Sequence, residues 1–292
     1  MPLTPPTLPQ AVHLVHVRLT GAPRGDPQQR EVTRHLRGLD GPVLWRGAVL
    51  ALMADPENAT DHATWHRLVD GLSQAPRLFS ELALLDPARR LPWLEHFARL
   101  LAPAPVHERH ELIVAARRVL TADRVVSAMD QLRWITLRHL LAGSAVAAPA
   151  AAHSEFEQLD LQQVVAICLY CGFLSTLVPT PEITLDPTGY GSVSQTWYDT
   201  VTAPWVDRAQ VPARSGHDID AALRALRELQ AMPWLLRPVL VRSWFEAARA
   251  LTDGPLLHPG AADALRLSCA LLDCPLPPEL IEQYVEVESD KP

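Results

Sequence analysis

From position 43 onward, apolar residues recur at three- and four-residue spacing in short windows, each closed by proline, glycine or aspartate. Val43 to Ala54 reads as a compact apolar helix stopped by Asp55-Pro56. Asp61 to Leu72 follows, with Asp61 as N-cap and Trp65, Leu68 and Val69 on one face. Arg77 to Leu85 and Leu91 to Leu101 are two further helices divided by Asp86-Pro87. His107 to Leu120 carries Leu112, Ala115, Ala116 and Val119 as a stripe, and after the turn Thr121-Ala122-Asp123-Arg124 a helix capped by Ser127 runs through Leu141. Leu159 to Leu177 is another helix, and Asp218 caps one that begins at Ile219. The pattern then closes on a pair of amphipathic helices around Thr252-Asp253-Gly254-Pro255, ending at Leu272-Asp273-Cys274-Pro275. No window alternates with the period of a strand over any length, apart from a weak arm at His13 to Arg18. The expectation is an all-α array of some ten to thirteen helices.

Two breaks divide this pattern. Ala142 to His153 is an Ala/Gly/Ser/Pro linker, which separates a helical subdomain at 43–145 from a second at 146–285. Residues 1–42 are a tail and lead-in, and 286–292 an acidic tail. The second break, Pro179 to His217, is polar and turn-rich, and reads as one long loop carrying Tyr190, Trp197, Tyr198 and Trp205. A loop this long is seldom a plain connector. Its aromatics are either anchors for a partner protein, which bury large area at low entropic cost, or caps folded back on the bundle. Trp45, Trp93, Trp134, Trp234 and Trp244 fall on helical faces and are expected in the core.

Composition supports the helical reading: 48% of residues are hydrophobic and only 6% aromatic, with leucine and alanine dominant. The 27 prolines sit mostly between periodic windows, where they mark helix starts and stops. A net charge of −7 argues against a nucleic-acid surface, which needs clustered cations to displace phosphate counterions. No apolar run reaches the length of a spanning helix, Val164 to Val178 being the nearest, and the N-terminus has no signal-peptide pattern. A cytoplasmic protein without membrane insertion is expected.

Candidate chemistry changes the picture little. Cys168 and Cys171 have CxxC spacing, but Ile167, Leu169, Phe173 and Leu174 surround them with a core-helix pattern, and no second CxxC accompanies them. His107-Glu108-Arg109-His110-Glu111 is one residue away from the HExxH motif, with Glu111 where the second histidine belongs. His62 and His66 form an i, i+4 pair. Gly189 to Ser194 supplies glycines and serines without the spacing of a nucleophile elbow or a phosphate loop. No complete catalytic set is present, and no cofactor is expected.

Arg90-Leu91-Pro92-Trp93-Leu94, Ala122-Asp123 to Asp130, Leu137-Arg138-His139-Leu140, Ala221-Ala222-Leu223 to Asp253-Gly254, and Asp273-Cys274-Pro275 with Pro277-Pro278 together resemble one known arrangement. It is the soluble C-terminal region of the HtpX-like membrane zinc metallopeptidases, in versions extended by TerB-like helical units. The resemblance covers most of residues 43–280 and implies two TerB-like units without the peptidase domain. TerB-like units carry an Asp-Gly turn followed by a second acid, an arrangement able to gather oxygen ligands for a divalent cation. The resemblance therefore marks Asp123 and Asp130 in the first unit and Asp253 and Asp263 in the second. Both units depart from the pattern: Arg124 replaces the glycine of the first, and Ala261 stands near the expected acid of the second.

These readings lead to a non-catalytic interaction or regulatory module that binds another protein, such as a separately encoded membrane protease or another enzyme. The alternatives are an accessory subunit whose active site forms only in a complex, and a divalent-metal sensor using the aspartate turns.

Overall fold

The computed structural model describes residues 26–142, 156, 159–178, 192–205 and 218–287, and among these every regular element is a helix. In chain order they are α1 (Pro27–Arg37), α2 (Pro42–Met53), α3 (Ala59–Leu68), α4 (Ala75–Ala83), α5 (Pro87–Leu101), α6 (Val106–Leu120) and α7 (Ala128–Ala142). Then follow α8 (Leu161–Leu174), α9 (Ser192–Thr202), α10 (Ile219–Ala231), α11 (Leu236–Ala250), α12 (Pro259–Leu271) and the short α13 (Pro278–Ile281). The all-α expectation holds among the described residues. The arm at 13–18 and the 142–153 linker beyond Ala142 lie outside them.

Short polar side chains set six of the helix starts among the described residues. Asp26 and Asp86 each accept a hydrogen bond from the second helical residue's N–H, and each precedes a proline at the first helical position. Asp160 forms a full capping box with Gln163. Asp218 caps α10 through the N–H of Ala221. At α7, Ser127 Oγ accepts from the N–H of Asp130 (3.1 Å), while Asp130 accepts from the Ser127 N–H (3.0 Å). The expected cap of α3 is corrected: Asn58, not Asp61, accepts from Thr60 and Asp61, so Asp61 stands inside the first turn.

One helix lies in the lead-in before position 43, where helices were expected to begin after Asp26, and another occupies a stretch expected to be a loop. Residues 27–37 form α1, although only Gln29, Val32 and Leu36 of its length are buried. Residues 192–202 form α9, followed by a 3-10 turn at Ala203–Trp205, so the 179–217 stretch is not one continuous loop.

Packing starts from α2, whose residues Gly47 to Met53 are all buried. It lies along α5, with α3, α4 and α6 around it. Gly47 faces side-chain carbons of Leu72 and Leu78, which an added Cβ would meet at 3.4 Å, an ordinary van der Waals contact. Its carbonyl accepts the indole N–H of buried Trp65 at 2.9 Å. In the C-terminal half, α8 lies along α10, and α9 packs on α8 and α11. The two halves meet where α12 packs on α7 and α5. One apolar core runs through both, from Val32 to Tyr284.

Three arginines tie this core together. Arg266 of α12 forms a two-pronged pair with Glu95 of α5 (2.8 and 3.0 Å), both buried, and also binds Glu286. Burial opposes its charge, but the carboxylates of Glu286 and Glu95 hold the guanidinium above its ordinary pKa. Arg90 donates to the carbonyls of Leu82 and Ala54 at the ends of α4 and α2. Burial, with Arg133 nearby, pushes its pKa down to about 10. Arg237 donates to the carbonyls of Met232 and Leu272, and so joins the ends of α10 and α12.

Candidate interaction surface

The loop aromatics are not surface anchors. Trp197 is 0% exposed, and Tyr198 and Trp205 are buried with it. The helical turn of α9 carries Trp197 inward between α8 and α11, where its indole N–H donates to the carbonyl of Trp244 (3.2 Å). Trp205 meets Phe156 edge-on, with ring centroids 5.5 Å apart. The expected interface made by these three rings is therefore corrected to core packing, with Trp197 and Tyr198 carried by α9 and Trp205 by the 3-10 turn that follows it. Tyr190 lies outside the described residues.

The four aspartates marked for a cation do not share a site. Asp123 accepts from Asn58 Nδ2 (3.0 Å) and from the N–H of Val125 (2.9 Å), across a turn in which Arg124 adopts a left-handed φ of 64°. Asp130 is occupied by Ser127, whose hydroxyl donates to it at 2.7 Å. Asp253 is exposed on its turn. Asp263 accepts from the Tyr284 hydroxyl (2.9 Å) and pairs with Arg133 at 3.7 Å. Burial pushes its carboxyl above the usual aspartate range, with Arg133 opposing. Among the described residues no group of three His, Cys, Asp or Glu is placed to hold a metal ion. The expected ligand sets are thus replaced by turn, cap and core hydrogen bonds.

Asp123 and Asp130 do lie near Asp61, which also has Asp55 beside it. Burial first, and then these like charges, raise the Asp61 carboxyl, and the N–H of Asp55 steadies it at 3.0 Å.

The remaining candidate groups are structural. His62 packs on Phe79 (4.3 Å between centroids) and touches the ring of His66 edge-on at 4.5 Å. Cys168 and Cys171 are fully buried on α8, and burial pushes both thiols up, Cys168 to about 11. His107 and His110 are exposed on α6. A groove of about 670 Å³ opens between α2, α6 and the turn after α3. Its floor is apolar, with Leu50, Leu68 and Val114, and Arg46 pairs loosely with Glu111 at its rim (3.6 Å).

The surface feature that sequence reasoning missed lies at the start of α11. Trp234 is 64% exposed, Leu235 50% and Val239 53%. Leu235 is the N-cap of α11, so Trp234 and Val239 occupy the two positions that flank a helix start, and Val239 lies one turn above Leu235. The three make a contiguous apolar step led by an exposed indole. Arg242, one turn further along the helix, pairs with Glu246 (2.9 Å) and Glu279 (3.2 Å) and gives the patch a charged edge. Trp234 had been expected in the core. The signal against that was in the pattern: the buried stripe of α11 runs Leu236, Leu240, Val241, Trp244 and Ala248, and positions 235 and 239 fall off it.

Comparison of the chain with the models of known protein families, with curated proteins and with solved structures finds no match.

Proposed function

We propose that the chain is a non-catalytic interaction module that binds another protein through the step formed by Trp234, Leu235 and Val239. The observation that carries this reading is the exposure of Trp234. An indole left in water, beside two more exposed apolar side chains, forgoes burial that the chain's other seven tryptophans obtain wholly or in part. Tryptophan is the residue most enriched among the few that dominate binding energy at interfaces. A raised aromatic flanked by aliphatic groups and edged by paired charges suits an apolar helix or groove of a partner. The resemblance to the C-terminal region of membrane metallopeptidases favours a separately encoded protease or another enzyme as that partner. The same surface serves if the chain is an accessory subunit whose partner supplies the active site.

The test is affinity capture from the native organism, run with the wild-type chain and with Trp234→Ala and Val239→Ser. A protein captured in stoichiometric amount by the wild type, and lost with both variants while their thermal transitions stay in place, supports the reading. A partner retained by both variants overturns this surface as the site.

A further inference from the structure

The end of α12 brings two cysteines together in a way the interaction reading does not use. Helix α12 closes with Leu272 as its C-cap, and the next residue, Asp273, takes a left-handed φ of 49°. The N–H of Cys274 then returns to the carbonyl of Cys269 at 3.1 Å, and that of Asp273 to Ala270 at 3.3 Å. These are the two hydrogen bonds of a Schellman termination, which also places the side chains of the third residue from the helix end and the second residue past it against each other. In most helices that contact is between two aliphatic groups. Here the two positions are Cys269 and Cys274.

The pair is asymmetric. Cys269 is buried, while Cys274 is partly open to solvent. The neighbouring Cys269 thiol, with the positive charge of Arg237, lowers the Cys274 thiol against the opposing effect of burial, whereas Cys274 and burial together hold Cys269 well above its ordinary value. One thiol is thus reachable from solvent, and its neighbour lies behind it at the helix end. Cys168 and Cys171 offer a contrast: both are buried on α8, and both thiols are pushed up.

We propose that Cys269 and Cys274 are a peroxide-reactive dithiol, with Cys274 as the attacking sulfur and Cys269 as the resolving one. The Cys274 thiolate attacks one oxygen of a hydroperoxide; an S–O bond forms, the O–O bond breaks, and the departing oxygen leaves as water or alcohol with the proton that the thiol gave up. The Cys269 sulfur then attacks the Cys274 sulfur. The S–S bond forms, the S–O bond breaks, and hydroxide departs as water with the proton of Cys269. Two thiols have supplied two electrons, and the peroxide is reduced. The main-chain bond between residues 274 and 269 already keeps the two backbones side by side, as a disulfide requires. Thiolate character and solvent access are the properties that select a cysteine for this chemistry.

The experiment treats the full chain with hydrogen peroxide, denatures it, alkylates the remaining thiols without reduction, and maps the peptides by mass spectrometry. The expected product links Cys269 to Cys274, is lighter by two hydrogen atoms, and returns to two free thiols with dithiothreitol. In Cys269→Ser the resolving sulfur is gone, so dimedone captures a sulfenic acid on Cys274. Cys274→Ser leaves Cys269 unoxidised. Full alkylation of both residues after peroxide overturns the proposal, and so does a sulfenic acid or disulfide that forms at Cys168 or Cys171 while Cys269 and Cys274 stay free. The map of the unsubstituted chain decides the question even where Cys269→Ser fails to fold.

Discussion

Single residues show how burial, more than residue type, assigns roles in this chain. Trp197 and Trp234 are the same side chain in opposite settings, one enclosed between α8 and α11 and the other standing in solvent. Trp197→Ala removes a fully buried indole and leaves a cavity, and should cost about 3–5 kcal/mol in chemical denaturation. Trp234→Ala should leave the same denaturation midpoint nearly unmoved. If the two variants are equally destabilised, the exposed step is not a free surface and the interaction reading fails with it. Asp61 carries a prediction of a different kind. Its folded carboxyl is raised above the ordinary 3.8 by burial and by Asp123, Asp55 and Asp130, so the folded state holds the proton to higher pH than the unfolded chain. The sign follows from that: Asp61 lowers stability as pH rises from 3.8 through its folded pKa, and above that pKa the full penalty remains. Asp61→Asn keeps an oxygen for the N–H of Asp55 and removes the charge. It should stabilise the chain at neutral pH, with the gain disappearing in acid below the ordinary aspartate range. Paired denaturation curves at the two pH values check it, and a gain that persists in acid would rule out ionisation as the cause.

Elements divide into those written in their own residues and those imposed by neighbours. Helices α2, α5, α6, α7, α8 and α10 have apolar stripes with Asp, Ser or Pro at their starts, and their positions were legible to within a few residues. The start of α5 had the same Asp-Pro signal as α1, at Asp86-Pro87 and Asp26-Pro27, yet α1 is mostly polar and so gave no stripe to notice. Helix α9 was not legible at all. Its sequence, Ser-Val-Ser-Gln-Thr-Trp-Tyr-Asp-Thr-Val-Thr, is rich in β-branched and hydroxyl residues that disfavour helices, and tertiary burial of Trp197, Tyr198 and Val201 overrides that preference. For the same reason the sequence leaves these aromatics open between partner anchors and caps on the bundle: a stretch without helical propensity marks no buried face. The Asp-Cys-Pro sequence after Leu272 was noticed, but its meaning as a helix termination that pairs two thiols needed the backbone. Capping makes the element-scale prediction. Ser127→Ala removes the acceptor for the Asp130 N–H, and should cost about 1 kcal/mol. A loss confined to the measurement error would mean that α7 is held by its packing on α12, α5 and α6 rather than by its cap.

At the scale of the whole molecule, the two stretches that sequence divides at a linker share a single core among the described residues. The contact is carried by α12 lying on α7 and α5, and its polar centre is the Arg266–Glu95 pair, with Glu286 completing the guanidinium's partners. A buried pair of this kind gains little over a well-packed apolar one, but breaking it by removing one member strands the other charge. Glu95→Ala should therefore destabilise the chain by about 3–5 kcal/mol, because Arg266 is left among apolar groups with only the more exposed Glu286 to answer it. Replacing both members, as Glu95→Leu with Arg266→Met, should cost distinctly less than the single change, since the charges that then lose a partner, Glu286 and Arg99, are the solvent-exposed ones. The size of the transition is the second readout. If α5 and α12 belong to one cooperative unit, calorimetry shows one unfolding peak that moves down as a whole in Glu95→Ala. If the peak instead splits, with one part staying at the wild-type temperature, the two halves fold independently and the ion pair is only a clasp between them. The continuity of the core from Val32 to Tyr284 favours the single peak, because separating the halves would expose the apolar faces of α7 and α12 together.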